Sequence, residues 1–113
     1  MKTKKELKKA YKQHKPVMGV FQVKNVVNGK VLIEGNMDIH ARWNRHRTEL
    51  RFGSHRNTQL QKDWNEVPEE NFTFSILSEL EYKEGESVDY KKEVKTLEEM
   101  VIEEFGIDDA IRY

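Results

Sequence analysis

The stretch over residues 19–55 constrains the fold most, because it has the pattern of a β-hairpin that leads directly into an amphipathic, arginine-rich helix. Two short β-prone runs, 20–23 and 31–33, lie on either side of Asn28-Gly29. This dipeptide strongly favours a two-residue turn with both central residues at positive φ. We therefore predict that the sheet begins with an antiparallel pair of strands closed by that turn.

The position of the turn sets the predicted register of the hairpin. Asn25 would face Leu32, and Val23 would face Glu34. Because side chains alternate between the two faces of a sheet, Phe21 shares one face with Leu32 and Glu34. The opposite face is predicted to carry Val20, Gln22, Val31 and Ile33.

A helix is predicted to follow the hairpin and to extend through about Arg51. Asn36 or Asp38 can cap its first turn, and Gly53 is the expected left-handed residue just after its end. Apolar residues recur at spacings of four, three and four, which indicates a helix with one buried face. The buried face is predicted to carry Ile39, Trp43, His46 and Leu50.

Three further elements complete the predicted domain. A second helix covers about 57–67, a third strand covers 71–80, and a long helix begins at Ser87 or Asp89 and continues through Phe105. The buried side chains of these elements are predicted to be Leu60, Trp64, Val67, Phe72, Phe74, Ile76, Tyr90, Val94, Leu97, Val101 and Phe105.

The predicted fold class is therefore α+β: a small three-stranded antiparallel sheet flanked by helices, with an extra basic helix over 1–15 that Pro16 ends. The 113 residues suit one domain with a single modest core. The absence of cysteine excludes disulfides and thiolate zinc sites. No apolar run has the length of a signal core or a membrane span, so we expect a cytoplasmic protein with no membrane partner.

The charge balance of zero conceals a strong polarity along the chain. Residues 1–62 carry 15 Lys and Arg against 4 Asp and Glu, a net charge of +11, and residues 63–113 carry 5 against 16, a net charge of −11. A basic half attracts polyanions such as nucleic acid, whereas an acidic half can dock a basic protein surface. The same charges can equally serve to solvate helix faces.

An ordered set of motifs runs through residues 18–105. In chain order it comprises a strand, an Asn-Gly turn, Lys-Val-x-Ile, Arg-Trp-x-x-His, Gly-x-His, Leu-Gln-x-x-Trp and Asn-Phe-x-Phe-x-Ile-Leu. This order resembles the GIY-YIG nuclease superfamily, which includes intron homing endonucleases and the incision domain of excision-repair enzymes. Both signature triplets depart from the family pattern: residues 19–21 read Gly-Val-Phe in place of Gly-Ile-Tyr, and 32–34 read Leu-Ile-Glu in place of Tyr-Ile-Gly.

The resemblance implies roles for particular residues. Arg42 occupies the position of the family's arginine that contacts the scissile phosphate. His46 and His55 occupy the positions of family histidines that line the same cleft. The family's metal-binding glutamate corresponds to Glu98, with Glu99 as the alternative. The two family tyrosines are replaced by Phe21 and Leu32, which have no hydroxyl.

Glu34 stands where the second family triplet has glycine, on the predicted cleft face. We predict that it pairs with Arg42 or another nearby cation, because a partly buried carboxylate without a partner is costly. Such a pair would occupy the space of a substrate phosphate and repel an incoming anion. The competing prediction is that Glu34 joins Glu98 as a metal ligand.

Three functions remain open from the sequence. The first is a protein that binds nucleic acid through a basic cleft, with DNA favoured, whose phosphodiester hydrolysis is weak or lost and which needs no cofactor. The second is an active DNA endonuclease that uses Mg²⁺ or Mn²⁺ and a non-tyrosine base such as His46 or His55. The third is a protein-interaction module that docks through its acidic half. Nucleic-acid contacts are predicted for Arg42, Arg45, Arg47, Arg51, Arg56, Lys8 and Lys12.

Overall fold

The computed structural model describes residues 15–83 and 87–113. The basic helix predicted over 1–15, with Lys8 and Lys12, lies outside these residues except for Lys15. Within them no helix is long and apolar enough to cross a membrane. The helices and strands are β1 (Met18–Asn25), β2 (Val31–Asn36), α1 (Ile39–Arg51), α2 (Thr58–Glu66), β3 (Phe72–Leu80) and α3 (Tyr90–Glu104), with 3₁₀ turns at Glu69–Asn71 and Asp109–Ile111.

The sheet has the strand order β2-β1-β3, and both pairings are antiparallel. This confirms the predicted α+β class with a three-stranded antiparallel sheet and flanking helices. The predicted helix caps and stop are also confirmed. Asp38 and Asp89 accept hydrogen bonds from the backbone N–H groups three residues ahead, and Gly53 has a φ of +74°.

The hairpin register differs from the prediction by two residues. Val23 lies opposite Leu32, and Phe21 lies opposite Glu34. The prediction that Asn25 faces Leu32 is therefore wrong. The face assignment is nevertheless confirmed, because a shift of two residues keeps every side chain on its own side of the sheet.

The cause of the shift is a longer loop than the Asn-Gly dipeptide alone predicts. Asn25 N–H donates to the Lys30 carbonyl at 2.9 Å, and Gly29 N–H donates to the Asn25 carbonyl at 2.8 Å, so the loop spans 26–29. Gly29 has a φ of +77°, but Asn28 does not adopt a positive φ. The Asn28 side chain instead accepts the Lys30 N–H at 2.9 Å and donates to Asp63 at 2.9 Å. These contacts fix a wider turn.

The two faces of the sheet pack against different helices. Phe21 and Val23 pack with residues of α1 and α2, whereas Val20 and Ile33 on the opposite face pack with Val101 of α3. Two predictions of burial are wrong, since Phe105 at the end of α3 is 57% exposed and Ile76 of β3 is 39% exposed. Phe105 is the residue that caps the end of the helix, and the chain reverses at the residue that follows.

Candidate functional site

A cleft of about 350 Å³ opens beside β2, and it gathers most of the predicted site residues. Leu32 and Glu34 contribute from β2 and Arg42 and His46 from α1. The remaining side of the cleft is formed by the loop before α2, by α3 and by the last two residues of the chain. The lining residues from these segments include His55, Arg56, Asn57, Glu98, Arg112 and Tyr113.

Glu34 and Arg42 form a direct ion pair inside the cleft. The Arg42 Nε–H is shared between both carboxylate oxygens of Glu34, at 2.9 and 3.0 Å. Each side chain is about one quarter exposed, at 25% for Glu34 and 26% for Arg42. The cap at Asp38 starts α1 so that Arg42, in its second turn, faces back towards β2. The predicted pairing of Glu34 with Arg42 is therefore confirmed.

A chain of hydrogen bonds extends from Glu34 through both histidines. His46 Nε2 lies 2.7 Å from Glu34 Oε2, and His46 Nδ1 lies 2.8 Å from His55 Nε2. The Asn57 backbone N–H donates to His55 Nδ1 at 3.0 Å.

The donor at Asn57 fixes the direction of the whole chain. Because His55 Nδ1 must accept, we assign the ring proton of neutral His55 to Nε2, which donates to His46 Nδ1. His46 then carries its proton on Nε2 and donates it to Glu34. In this arrangement all four ring nitrogens are engaged, and neither imidazole keeps a lone pair for a water molecule.

The pKa shifts at two of these groups agree with this assignment. Burial alone would raise the pKa of Glu34, but the hydrogen bond from His46, together with the Arg42 guanidinium, lowers it overall. Burial and the neighbouring His46 lower the pKa of His55. We therefore assign an ionised Glu34 carboxylate and a neutral His55 at neutral pH.

The two positions that carry tyrosine in the resembled family have no hydroxyl here. Phe21 lies in the core with no exposed surface, and its ring centroid is 6.3 Å from that of His46. Leu32 forms part of the cleft wall. Tyr113 does reach the cleft, but its hydroxyl donates to the buried Asp63 at 2.6 Å, and burial together with this bond raises its pKa to about 12. Tyr113 therefore does not supply an accessible phenolate.

Glu98, rather than Glu99, faces the cleft. Its Oε2 accepts the Gly35 backbone N–H at 3.0 Å, and its Oε1 lies 3.4 Å from Arg112 Nη2. The close approach depends on the missing side chain of Gly35, since a Cβ there would lie 2.8 Å from Val94 Cγ1 and 2.9 Å from the Val94 carbonyl oxygen. Glycine thus lets α3 bring Glu98 onto the backbone of β2.

The donor set around Glu98 does not fit a divalent metal site as it stands. Magnesium prefers several oxygen ligands and tolerates no cation within its coordination shell. One Glu98 oxygen is held by a backbone donor and the other faces a guanidinium. Across residues 15–83 and 87–113, no group of three or more histidine, cysteine or carboxylate side chains is arranged to hold a metal ion.

The other predicted arginines lie outside the cleft or at its mouth. Arg45 pairs with Glu49, Arg51 pairs with Glu69, and Arg47 lies over the Trp43 ring with its guanidinium carbon 5.5 Å from the centroid. Arg56 is exposed at the mouth of the cleft. The residues lining the cleft carry three arginines and three glutamates: Arg42, Arg56, Arg112, Glu34, Glu49 and Glu98. Their formal charges cancel, so the prediction that the cleft is basic is wrong.

Comparison with known proteins gives a consistent result. No model of a known protein family matches the chain. The chain is 37% identical over 65 residues, 58% of its length, to Intron-associated endonuclease 1 of Enterobacteria phage T4, and this match spans only 26% of that relative. Two solved structures are similar. The catalytic domain of homing endonuclease I-TevI superimposes with a TM-score of 0.66 at 28% identity, covering 85% of this chain and 95% of that domain. A substituted form of the same domain gives 0.68 at 29% identity, covering 86% and 91%.

Proposed function

The chain has a nuclease fold of the GIY-YIG homing-endonuclease type, and from this premise we propose that it binds nucleic acid, with DNA favoured, while its phosphodiester hydrolysis is weak or lost. The observation that carries the proposal is the ion pair between Glu34 and Arg42. The family uses the arginine at this position to contact the phosphate. Here the Glu34 carboxylate accepts the Arg42 Nε–H and offsets its positive charge, so Arg42 attracts an incoming phosphodiester less strongly.

The hydrogen-bond chain is the second support for weak hydrolysis. A general base must accept a proton from water through a free lone pair. The His46 and His55 ring nitrogens are all engaged in the assigned chain, and Phe21 and Leu32 cannot accept a proton. Each base considered from the sequence is therefore absent or occupied.

Most of the affinity for nucleic acid would come from the surface around the cleft. Residues 1–62 carry the net charge of +11. The exposed guanidinium groups of Arg45, Arg51 and Arg56 lie on this half, and exposed ion pairs such as that of Arg45 with Glu49 exchange readily for phosphate contacts. Binding of this kind is independent of base sequence and weakens as salt is raised.

One arrangement favours the alternative of an active endonuclease. Arg42, His46, His55 and Glu98 converge on one cleft, as the family's chemistry requires. In that case substrate binding would have to displace Glu34 from Arg42 and free one imidazole as the base.

A combined binding and cleavage assay on the full chain separates these functions. We expect labelled duplex, branched and single-stranded DNA to bind at low salt, with or without EDTA, and supercoiled plasmid to stay intact in Mg²⁺ or Mn²⁺. Metal-dependent nicking that Arg42→Gln abolishes and Lys92→Gln retains would establish the endonuclease, since Lys92 is exposed on α3 in the acidic half. Absence of binding at low salt would instead favour the protein-interaction module.

A further inference from the structure

Arg112 contacts Glu98, the residue that corresponds to the metal-binding glutamate of the resembled family. Its Nη2 lies 3.4 Å from Glu98 Oε1 and donates to the Ile33 carbonyl at 3.3 Å. The side chain is 31% exposed, and that of Glu98 is 25% exposed. Arg112 therefore lies between a carboxylate and a backbone carbonyl, with part of its surface open to the cleft.

We propose that the Arg112 guanidinium takes the place of the divalent metal at Glu98, so that the cleft binds a phosphate group of its ligand without a metal ion. Both contacts with the protein use the same terminal nitrogen, Nη2. Among the described residues, no hydrogen bond uses Nη1 or Nε of Arg112. A planar guanidinium with free donors matches the oxygens of a phosphate.

The position of Arg112 is held by its own backbone and by its neighbour. Arg112 forms a parallel bridge with Val31 of β2, and the Tyr113 N–H donates to the Val31 carbonyl at 2.9 Å. The Tyr113 hydroxyl is anchored to the buried Asp63. These contacts place the guanidinium beside Glu98 before any ligand arrives, and a dication at Glu98 would meet a fixed positive charge.

Manganese binding tests the proposal directly. We would titrate Mn²⁺ into the full chain and follow free Mn²⁺ by electron paramagnetic resonance, comparing wild type, Glu98→Gln, Arg112→Gln and the double variant. We expect no Glu98-dependent Mn²⁺ site in the wild type. Arg112→Gln should gain a Glu98-dependent Mn²⁺ site that the wild type lacks, and the double variant should lose that site.

The conservative variant guards against a folding defect. Arg112→Lys keeps the charge and should exclude Mn²⁺ as the wild type does, with an unchanged circular dichroism spectrum. Wild-type Mn²⁺ binding that Glu98→Gln removes would overturn the proposal, even if Arg112→Gln does not fold. A folded Arg112→Gln protein that gains no Mn²⁺ site would also overturn it.

The class of ligand rests on the proposed function, but the manganese titration contains no nucleic acid. A protein that excludes Mn²⁺ and yet binds no DNA would refute the proposed function and leave the replacement of the metal standing. A protein that binds DNA and also holds Mn²⁺ at Glu98 would support the proposed function and overturn the replacement of the metal by Arg112.

Discussion

Replacing Glu34 by glutamine should strengthen nucleic-acid binding. The change removes the negative charge that engages Arg42 and keeps the side-chain volume. The glutamine carbonyl oxygen can still accept the proton of His46 Nε2, so the contact at 2.7 Å between the helix and β2 is retained. Glu34→Gln therefore releases the Arg42 guanidinium with little other change to the cleft.

The expected gain follows from the strength of the contact that is exchanged. A hydrogen bond to a charged group contributes about 1.5–3 kcal/mol. Arg42 and Glu34 are only about one quarter exposed, so solvent does little to weaken their pair. If freed Arg42 recovers most of that energy from a phosphate, binding improves by about 1–2 kcal/mol, which is about 5-fold to 30-fold in Kd. The slope of log K against log salt should steepen by about one phosphate contact.

Fluorescence anisotropy with labelled DNA at several salt concentrations measures both quantities. Glu66→Gln is the control for the loss of one negative charge, because Glu66 is exposed at the end of α2 and forms no ion pair among the described residues. Equal effects of the two substitutions would mean that general charge, not release of Arg42, governs binding. An unchanged Kd for Glu34→Gln would refute the occlusion argument. We expect no gain of DNA cleavage from Glu34→Gln, because Phe21 and Leu32 still lack a hydroxyl.

Three further outcomes are expected. Arg45→Gln, alone or with the lysines of residues 1–15 neutralised, should weaken DNA binding across all sequences and flatten its salt dependence, as anisotropy would detect. Tyr113→Phe should lower the free energy of unfolding by about 1–3 kcal/mol in urea, since the buried Asp63 loses its 2.6 Å donor. Gly35→Ala should lower the free energy of unfolding by a similar amount, about 1–3 kcal/mol, because its Cβ would collide with the backbone of Val94. No change in either stability would contradict these contacts.

The sequence predicted those parts of the fold that depend on local patterns. Local sequence predicts the buried stripe of α1, a cap at Asn36 or Asp38 and a stop at Gly53. The structure confirms the stripe and the stop, and it selects Asp38 as the cap. The hairpin faces are likewise confirmed because they depend only on alternation. The register needed the loop length, and that is set by a side-chain contact from Asn28 to Asp63, 35 residues away.

The site divides in the same way. Arg42, His46 and His55 could be placed from motif order, and the resemblance to the GIY-YIG family that this order indicated is confirmed by the comparisons. Arg112 and Tyr113 could not be placed, because they reach the cleft through a 3₁₀ turn that follows α3 and has no periodic signature. Their roles depend on where the chain returns to β2, which is a property of the tertiary fold.

The hydrogen bonds through His46 and His55 imply that the protein becomes less stable in acid. Burial and His46 lower the pKa of His55 in the folded protein, below its ordinary value of 6.5. As pH falls below 6.5, the unfolded chain therefore binds a proton that folded His55 resists, and the free energy of unfolding must fall. Urea unfolding at a series of pH values should record this decrease, and His55→Gln should abolish it.

The free energy of unfolding should decrease a second time below pH 4.5, the ordinary pKa of glutamate. Burial raises the pKa of Glu34, but His46 and Arg42 lower it by more, so the pKa in the folded protein lies below 4.5. The stability that comes from the ionised carboxylate is therefore lost as the pH falls through the folded pKa. Asp63 adds to this stage, since its hydrogen bonds outweigh the effect of burial and lower its pKa. Glu34→Gln should reduce the second decrease in the free energy of unfolding and leave the first in place, because His55 would still resist protonation in the folded protein.

A free energy of unfolding that stays constant from neutral pH down through 6.5 would mean that buried His55 accepts a proton at no cost. In that case, the fixed direction of the chain from Asn57 to Glu34 would be wrong.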